Sequence, residues 1–401
     1  MKENSRNDKS YITENWRDYI NKNALILLIF LTTFVGKIVA NFLPAKYTFD
    51  NRRILGMANN DPHTRAWAGT YITAANFFKK INFFNFNQMS QWSIFLGLIM
   101  MLTVLFIALR LLDPDFCQIL FFLACVGLLN IYVFNIGKDV IQYLLFFVIY
   151  LVITAPFKAI YLKLIIAAAV LAFESTFFRS YYILIAAFAV AMFVILYYFC
   201  RMKKLSTGMT LFGIGMSSYL VVCLMMVTAQ ILMPEEYSEV LSVRAAQTDS
   251  REGSDSAVTL IQDLIPGEGL PFFLINYLIN AVRMLLPLEL LVKGVGYFPF
   301  LVFQIALAIY LFQILKKIRE VREEQYFLAL SIFMGYMLAS FIFEPDFGSW
   351  LRHESSTFPV MVLLVMSEKQ RVSEWKSAEP LTESVPEDHP SRLRWFAKKE
   401  A

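Results

Sequence analysis

Apolar runs of membrane-spanning length recur along nearly the whole chain, and they restrict its fold more than any other feature. A helix of about 20 apolar residues crosses the hydrocarbon core of a bilayer. Hydrophobic residues make up 58% of the 401-residue chain, more than a soluble domain of this length could bury. We therefore predict an all-α polytopic integral membrane protein with about ten transmembrane helices. The predicted crossings are Ala24–Leu43, Trp92–Leu111, Phe116–Phe134, Val140–Ile153, Ala159–Phe173, Tyr181–Phe199, Met209–Met233, Tyr297–Leu315, Gln325–Phe343 and Ser349–Met366.

Basic residues between the runs set the predicted orientation. Cytoplasmic loops of membrane proteins carry an excess of lysine and arginine, and such clusters occur at Arg201–Lys204 and Lys316–Arg322. No small-residue cleavage site follows the first apolar run, so we expect that run to remain as an anchor. Both termini are predicted to be cytoplasmic. The predicted parts are an interfacial N-terminus at 1–23, a single transmembrane domain at 24–366 with outer loops at 45–91 and 234–296, and a polar cytoplasmic tail at 367–401.

Residues 271–293 are apolar but do not fit the count of crossings. They contain Arg283 and Pro287. The crossing before them leaves the cytoplasm, and the crossing after them, Tyr297–Leu315, returns to the cytoplasm. We therefore predict an outer re-entrant or interfacial helical segment here, with Arg283 at the outer mouth. A second interfacial helix is predicted from the aromatic run at 76–86, whose rings suit the headgroup layer.

The last run carries charged residues into its outer half. To cross a bilayer it must begin near Ser349, which places Arg352, His353 and Glu354 within the membrane. Charged side chains at that depth are costly, so they normally face a protein interior or a water-filled cavity and mark functional sites. The alternative is a short re-entrant segment with its charges in solvent. We favour a polar site near the outer face.

The predicted topology brings charged residues of both signs to the outer side. Each pair alone is also explained by a structural salt bridge or an interface anchor. Lys37, one turn before Asn41 in the first crossing, either snorkels outward or lines a cavity. The whole set on one side favours a chemical site. Its members are Asp50, Arg52, Arg53, Lys138, Asp139, Glu174, Arg179, Arg283, Glu344, Asp346, Arg352, His353 and Glu354.

These residue types suit a polyanionic ligand combined with a proton transfer. Guanidinium groups bind phosphate oxygens in pairs, lysine acts as a point charge, and clustered cations stabilise a departing pyrophosphate. An attacking sugar hydroxyl needs a general base, and the candidate catalytic residues are His353, Glu174 and Asp139. The candidate substrate-binding residues are Arg352, Lys138, Arg179, Arg52, Arg53, Arg283 and Lys37.

Several classes of function lack their sequence signature. The chain has no Walker A loop, no glycine-rich dinucleotide fingerprint, no His-Glu-x-x-His and no Gly-x-Ser-x-Gly. Its four cysteines lie in or beside apolar runs, and no cysteine–histidine pair has metal-ligand spacing. The net charge of +4 is too small and too scattered to indicate nucleic-acid binding. We predict no metal, no cofactor and no nucleic-acid partner.

Two short motifs accompany the many crossings, the cytoplasmic termini and the large outer loops. The turn at 134–139, Phe-Asn-Ile-Gly-Lys-Asp, opens a helix, and Arg352-His353 comes before Pro359 in the last crossing. In these features the sequence resembles the bacterial repeat-unit polymerases of O-antigen, capsule and exopolysaccharide assembly, the Wzy-like and EpsG-like group. The architecture is similar over nearly the whole chain, whereas the motifs are short.

The resemblance implies a polysaccharide polymerase, a metal-independent glycosyltransferase of the bacterial inner (plasma) membrane with an outward-facing active site. Such an enzyme moves a growing glycan from its polyprenyl-pyrophosphate carrier onto a new lipid-linked repeat unit. Its implied partners are the lipid bilayer, this lipid-linked oligosaccharide, and chain-length regulator and flippase proteins. Arginines are implied to hold the pyrophosphate. The residues in matching motifs are Lys138, Asp139, Arg352 and His353.

Two other functions remain open from the sequence. A glycosyltransferase that uses a polyprenyl-phosphate sugar usually has paired acids in its first outer loop, where this chain has Asp50 alone beside Arg52 and Arg53. A lipid-linked oligosaccharide flippase needs charges that line mid-membrane helices, and the third, sixth and ninth predicted crossings contain almost none. The polymerase therefore remains the leading prediction.

Overall fold

The computed structural model describes residues 23–365 apart from 112–113, 203, 233, 236, 239–258 and 322. Within these residues the fold is all-helical, with one isolated β-bridge between Leu260 and Asp346. The all-α prediction is confirmed for this part of the chain. The predictions for the N-terminal segment, for the middle of the second outer loop and for the C-terminal tail fall outside it.

The helices are labelled α1 to α13 in chain order. A π-helical turn at Leu129–Val133 extends α5, and residues 358–365 continue α13 after a turn at Thr357. The helices are α1 (Asn23–Phe42), α2 (Phe49–Ala58), α3 (Thr70–Ile81), α4 (Met89–Leu109), α5 (Phe116–Leu128), α6 (Lys138–Thr154), α7 (Ile160–Phe177), α8 (Tyr182–Arg201), α9 (Thr207–Leu232), α10 (Leu270–Leu285), α11 (Phe298–Lys316), α12 (Glu324–Phe343) and α13 (Phe347–Ser356).

Eight helices in the described part are long and apolar enough to cross a membrane, which makes the chain a multi-pass membrane protein. They are α1, α4, α5 with its π-helical turn, α7, α8, α9, α11 and α12. The predicted count of ten also includes α6 and the last segment. α6 has 17 residues, a length of about 25 Å, and the last segment is divided at Thr357. These two crossings, and the re-entrant or interfacial placement of residues 271–293, stay predictions.

Local sequence determines where two of the helices begin. The Asp115 carboxylate accepts from the Gln118 backbone N–H at 2.9 Å, and the Gln118 side chain accepts from the Asp115 N–H at 2.9 Å. This reciprocal cap satisfies backbone donors that the first turn of α5 leaves free. Asp346 caps α13 through the Ser349 N–H at 2.8 Å, and Pro345 before it cannot continue α12.

α12 forms the centre of the bundle. Of the eight candidate crossings it is the most buried, with 83% of its apolar window covered by other parts of the protein. Gly335 lets α12 approach α8 closely, since a Cβ at this position would lie 2.7 Å from the Ala189 Cα. Small residues of this kind favour van der Waals packing between helices, which stabilises helix association where lipid is the solvent.

The outer segments fold into shorter helices. α2 is absent from the sequence-based prediction, whereas α3 overlaps the predicted interfacial helix but begins earlier and ends at Ile81. Phe83 and Phe84 follow it with exposed fractions of 81% and 66%, as expected for rings in a headgroup layer. In the second outer segment, α10 ends before Pro287 and is hydrogen-bonded to α9 and α12.

The bundle has two different ends. At one end, the Gln118 amide donates to the Val365 carbonyl and the Tyr310 hydroxyl to the Leu364 carbonyl, each at 2.9 Å. These bonds join the start of α5, the end of α11 and the end of the last helical segment. At the opposite end, the turns before α6, α8 and α13 meet α2 and α3. Most of the charged residues singled out in the sequence lie there.

We expect Gly335→Ala to destabilise the protein, because the added methyl group must push α8 away from α12. A loss of about 1–3 kcal/mol is typical of such overpacking. Gly215→Ala in α9 is the matched control, since a Cβ there would meet nothing within 4 Å. Thermal unfolding of the two purified variants in detergent measures the difference. Equal melting temperatures would contradict the close packing of α12 on α8.

Candidate functional site

Three separate turns bring an arginine, a histidine and two carboxylates together at one end of the bundle. Asp139 lies in the first turn of α6, and Arg179 lies between α7 and α8. Glu344 lies in the turn after α12, and His353 lies in α13. We call these four residues, together with Gln142 of α6, the Arg179–His353 cluster.

His353 is held between two carboxylates. Its Nδ1 lies 2.6 Å from Glu344 Oε1, and its Nε2 lies 3.2 Å from Asp139 Oδ1. Because a carboxylate only accepts hydrogen bonds, the contact with Glu344 assigns a proton to Nδ1. The Arg179 guanidinium lies 3.0 Å from Nε2, so this nitrogen accepts from Arg179 when the imidazole is neutral. A proton taken up at Nε2 would find Asp139 in position to accept a hydrogen bond from it.

Gln142 and Tyr181 hold the Arg179 side chain in place. The guanidinium donates to Gln142 Oε1 at 2.9 Å and to the Tyr181 hydroxyl at 3.0 Å. Gln142 also donates from Nε2 to the His353 carbonyl at 3.1 Å. Asp139 and Gln142 lie three residues apart and so share one face of α6. This face contacts both the α7–α8 turn and α13.

Arg179 is buried, yet it keeps its charge. Burial lowers the pKa of its guanidinium, but neighbouring phenol and carboxylate groups more than offset this effect and raise the pKa well above its ordinary value. Both terminal nitrogens are hydrogen-bonded within the cluster. Arg179 therefore positions other side chains. The neighbours that raise its pKa are Tyr181, Tyr182, Asp139 and Glu344.

Beside the cluster, Lys138 pairs with Asp50 from α2. Lys138 Nζ lies 3.4 Å from Asp50 Oδ2 and 4.0 Å from the centre of the Tyr71 ring. The Tyr71 hydroxyl donates to Asp50 Oδ1 at 2.8 Å. Burial raises the pKa of Asp50, but Lys138 and Arg352 reverse this effect and the net pKa is lowered. The first outer segment thus contributes directly to this end of the bundle.

Arg352 differs from Arg179 because its guanidinium donates no hydrogen bond to any residue that the structure describes. Its backbone carbonyl accepts from the Ser356 hydroxyl at 3.0 Å. Among the described residues, none accepts a hydrogen bond from the five N–H donors of this guanidinium. The carboxylates within its electrostatic range are Asp139, Asp50, Asp346 and Glu344.

Lys37 holds the π-helical turn that precedes α6. Its Nζ donates to the carbonyls of Asn130 and Phe134 at 3.0 and 2.6 Å. Gly97 of α4 makes room for this side chain, since a Cβ there would overlap it. Of the two roles open from the sequence, Lys37 therefore takes an inward one. It binds backbone carbonyls and does not reach the Arg179–His353 cluster.

Asn51 fixes the remainder of the same turn. Its Nδ2 donates to the Ile136 carbonyl at 2.6 Å, and a Cβ at Gly137 would lie 2.6 Å from that nitrogen. A glycine at 137 is therefore needed for this close approach. The contact places Lys138 at the start of α6, opposite Asp50 on the helix that carries Asn51.

The charges at this end of the bundle are close to balanced. The sequence-based hypothesis assumes an excess of cations, whereas each cation here has a carboxylate near it. A proton bound by His353 adds one positive charge to this arrangement. The cations are Lys138, Arg179 and Arg352, and the carboxylates are Asp50, Asp139, Glu344 and Asp346, so the carboxylates exceed the cations by one until His353 is protonated.

Two of the predicted site residues, Glu174 and Arg283, do not belong to the Arg179–His353 cluster. Glu174 is fully buried in α7, and neither of its carboxylate oxygens has a hydrogen-bond partner among the residues described. It is therefore not accessible as a base. Arg283 binds Glu289 through two nitrogens at 3.1 and 2.9 Å, and it also donates to Asn280 and to the Gln262 carbonyl. These bonds tie α10 to its flanking segments, away from His353.

Arg52 and Arg53 make their contacts with residues outside the Arg179–His353 cluster. Arg52 Nε donates to the Thr48 hydroxyl at 3.2 Å, and its side chain lines a separate cavity of about 90 Å³ near the end of α1. The Arg53 guanidinium lies 3.8 Å from the centre of the Trp67 ring. Of the predicted binding residues, this end of the bundle therefore gathers Lys138, Arg179 and Arg352.

Other contributors are absent from the candidate residues chosen by sequence. Glu344 and Asp50 are among the charged residues predicted on the outer side. Their partners lie on other helices and turns, so the sequence does not predict these contacts. Gln142 has a usable signal, because it lies three residues after Asp139 on a predicted helix. Tyr71 has none, since the chain contains 19 tyrosines.

We expect Asp139→Ala to destabilise the protein strongly, because it leaves Arg179 buried beside one fewer carboxylate. Breaking a buried ion pair typically costs about 3–5 kcal/mol. Glu289→Ala is the control, since it breaks a pair whose side chains are 17% and 32% exposed and more exposed pairs contribute about 1 kcal/mol or less. Thermal unfolding in detergent compares them. A smaller effect for Asp139→Ala than for Glu289→Ala would contradict the described burial.

Comparisons with known proteins identify no relative. No protein-family model, no curated protein and no solved structure matches this chain. Its function must therefore be inferred from the chemistry of the Arg179–His353 cluster and its neighbours.

Proposed function

We propose that the chain polymerises lipid-linked oligosaccharide repeat units at the outer face of a bacterial plasma membrane. In this reaction a hydroxyl of the acceptor repeat attacks the anomeric carbon of the growing glycan. The bond from that carbon to the polyprenyl pyrophosphate breaks, and the pyrophosphate leaves with its carrier. The observation that carries the proposal is His353, held by two carboxylates, near the Arg352 guanidinium, which has no hydrogen-bond partner among the residues that the structure describes.

His353 is the proposed general base. When Arg179 releases Nε2, this nitrogen takes the proton of the attacking hydroxyl. Glu344 fixes the ring through Nδ1, and the imidazolium that forms is stabilised by carboxylates on both sides. A carboxylate that orients a histidine base recurs in unrelated enzymes because it fixes both tautomer and direction.

Arg352 and Lys138 are the proposed ligands of the pyrophosphate. A guanidinium with free donors binds two phosphate oxygens at once, and an ammonium adds a point charge. Lys138 would exchange part of its contact with Asp50 for the phosphate. Both groups stabilise the negative charge that develops on the leaving pyrophosphate. Arg179, whose donors are engaged, supports the base.

The near balance of charges suits a reaction in which charge is redistributed. As the pyrophosphate leaves, its negative charge increases, and the proton gained by His353 raises the positive charge of the same region. Proton uptake and leaving-group stabilisation therefore reinforce each other electrostatically. The site needs no permanent cationic excess, which would be costly at the end of a membrane bundle.

The proposed orientation rests on the positive-inside rule. The Arg179–His353 cluster lies at the end of the bundle opposite to the end of α11, where Lys316 begins the most basic segment. With that segment in the cytoplasm, the cluster faces outward. α6 and the last helical segment then complete the proposed ten crossings.

Two alternatives use parts of the same site. A polyprenyl-phosphate-dependent glycosyltransferase would share the base and the phosphate ligands but use a single-sugar donor. A lipid-linked oligosaccharide flippase needs phosphate ligands but no general base. The carboxylates that hold His353 therefore favour an enzyme over a flippase.

We expect Arg352→Ala and His353→Ala to abolish long glycan chains while the protein remains in the membrane. One complete repeat unit should accumulate on its carrier at the outer face, measured by mass spectrometry of extracted lipids. The matched controls are Arg110→Ala, at the exposed end of α4, and His389→Ala in the C-terminal tail. A truncated repeat unit would indicate the glycosyltransferase. A complete repeat unit retained on the cytoplasmic side would indicate the flippase. Full-length polysaccharide in both variants would reject the proposed site.

We expect Glu344→Gln to reduce the elongation rate by about 10²–10⁴-fold, because an amide no longer fixes the His353 tautomer. Elongation is measured in membrane vesicles across a range of pH, with Glu268→Gln as the exposed control. Unchanged kcat and pH profile in Glu344→Gln would show that His353 is not the base.

A further inference from the structure

A second cavity lies in the first outer segment, apart from the Arg179–His353 cluster. It has a volume of about 260 Å³ and lies between α2, the loop at 59–69 and α3. We call it the outer cavity. Binding sites for drug-sized molecules occupy about 300–1,000 Å³, so this one suits a ligand of the size of one or two sugar rings. Its main lining residues are Met57, Asn60, Asp61, Thr64, Ile72 and Asn76.

The loop that borders the outer cavity is fixed by its own hydrogen bonds. The Asp61 N–H donates to the Gly56 carbonyl at 2.9 Å, and the Asp61 carboxylate accepts from the His63 N–H and the Thr64 hydroxyl at 3.0 and 2.8 Å. A side chain at Gly56 would overlap Thr64, so this loop packs directly on the α2 backbone. The wall of the cavity is therefore formed before any ligand binds.

The lining combines neutral polar groups with a small apolar surface. The Asn76 amide forms no hydrogen bond within the described part of the chain, so it has two donors and an acceptor for a ligand. Met57, Ile72 and Ala75 supply the apolar part. Amides and carboxylates bind sugar hydroxyls, and apolar side chains suit the C–H face of a sugar ring. The described residues of the lining include no arginine or lysine, which argues against a phosphate ligand.

On the other side of the same loop, three aromatic rings form a platform. Trp67 lies 5.9 Å from Phe49 and 4.9 Å edge-to-face from Tyr71, measured between ring centres. Arg53 covers one face of the Trp67 ring, yet Trp67 keeps an exposed fraction of 36% as a residue. Such contacts hold an aromatic ring rigidly, and a rigid, partly exposed ring binds a sugar at low entropic cost.

The aromatic platform and the outer cavity are aligned along one face of α2. Phe49, Arg53 and Met57 follow one another at four-residue spacing, and Asn60 comes next, just beyond the helix end. At 1.5 Å per residue, this face extends about 16 Å. At the Phe49 end of this face, Tyr71 is hydrogen-bonded to Asp50, which pairs with Lys138. A chain of a few sugar residues could therefore extend from the proposed phosphate ligands across the platform to the cavity.

We propose that the aromatic platform and the outer cavity are saccharide subsites that bind the hydroxyl-rich glycan of the lipid-linked substrate. The inference rests on the proposed function for the identity of the glycan, but its binding chemistry is separate. Arg352 binds the pyrophosphate, whereas Trp67 stacks on a sugar ring and Asn76 with Asp61 binds hydroxyl groups beyond it.

The test is a binding experiment with oligosaccharides that lack both lipid and pyrophosphate. The probe is prepared from the parent strain's own polysaccharide by mild acid hydrolysis, and binding to the full-length protein in nanodiscs is measured by saturation-transfer NMR and calorimetry. Trp67→Ala and Asn76→Ala should each weaken binding by about five- to tenfold, the loss expected for one such contact. Phe84→Ala and Asn87→Ala are matched controls, because these exposed residues lie in the same outer segment outside the cavity lining.

Each outcome separates this inference from the proposed polymerase. If Arg352→Ala and His353→Ala stop polymerisation while the wild-type protein binds no oligosaccharide, the subsites are wrong and the polymerase stands. If oligosaccharide binding depends on Trp67 and Asn76 while Arg352→Ala and His353→Ala polymerise normally, the subsites stand and the polymerase is rejected. If Trp67→Ala and Asn76→Ala bind the oligosaccharide as tightly as Phe84→Ala and Asn87→Ala, the rings only anchor the protein in the headgroup layer and the inference is overturned.

Discussion

The cost of removing charge from water is the constraint on which the charged end of the bundle depends. Burying an unpaired ion costs a desolvation free energy of the order of 5 kcal/mol. The buried arginine, histidine and carboxylates of this region must therefore bind one another. Arg179, His353 and Glu344 do so across elements that are distant in sequence. The same bonds hold the starts of α6, α8 and α13 together, so the chemistry and the fold of this end are inseparable.

Three arginines that look alike in the sequence have three different environments. Arg283 is bound by Glu289 and neighbouring acceptors, and Arg179 is bound inside the cluster. Within the described part of the chain, Arg352 has electrostatic neighbours but no direct bond to its guanidinium. Their availability to a ligand follows from these contacts and not from their depth or spacing. In a lipid-embedded protein, an arginine that lacks a direct partner indicates a ligand more clearly than one in a salt bridge.

The sequence predicts the periodic and local features of the fold better than the contacts between residues that are distant in the chain. Apolar run length predicts the helical fold and most of the crossings, and the positive-inside rule correctly groups Lys138, Arg179 and His353 at one end. It cannot predict that Glu344 binds His353, because the turn at Pro345 decides this. It also misses α2, whose mixed composition gives weak helical periodicity and whose position depends on packing.

The π-helical turn after α5 has a consequence for how such chains can change. The Phe134 N–H donates to the Leu129 carbonyl at 2.7 Å, five residues back, so this turn contains one residue more than an α-helical turn. Deleting one residue would restore a regular helix and rotate everything after it by about 100°. Lys138 and Asp139 would then no longer be held opposite Asp50 and His353. A change of length between 129 and 133 would therefore alter the charged end of the bundle, although none of these five residues belongs to it.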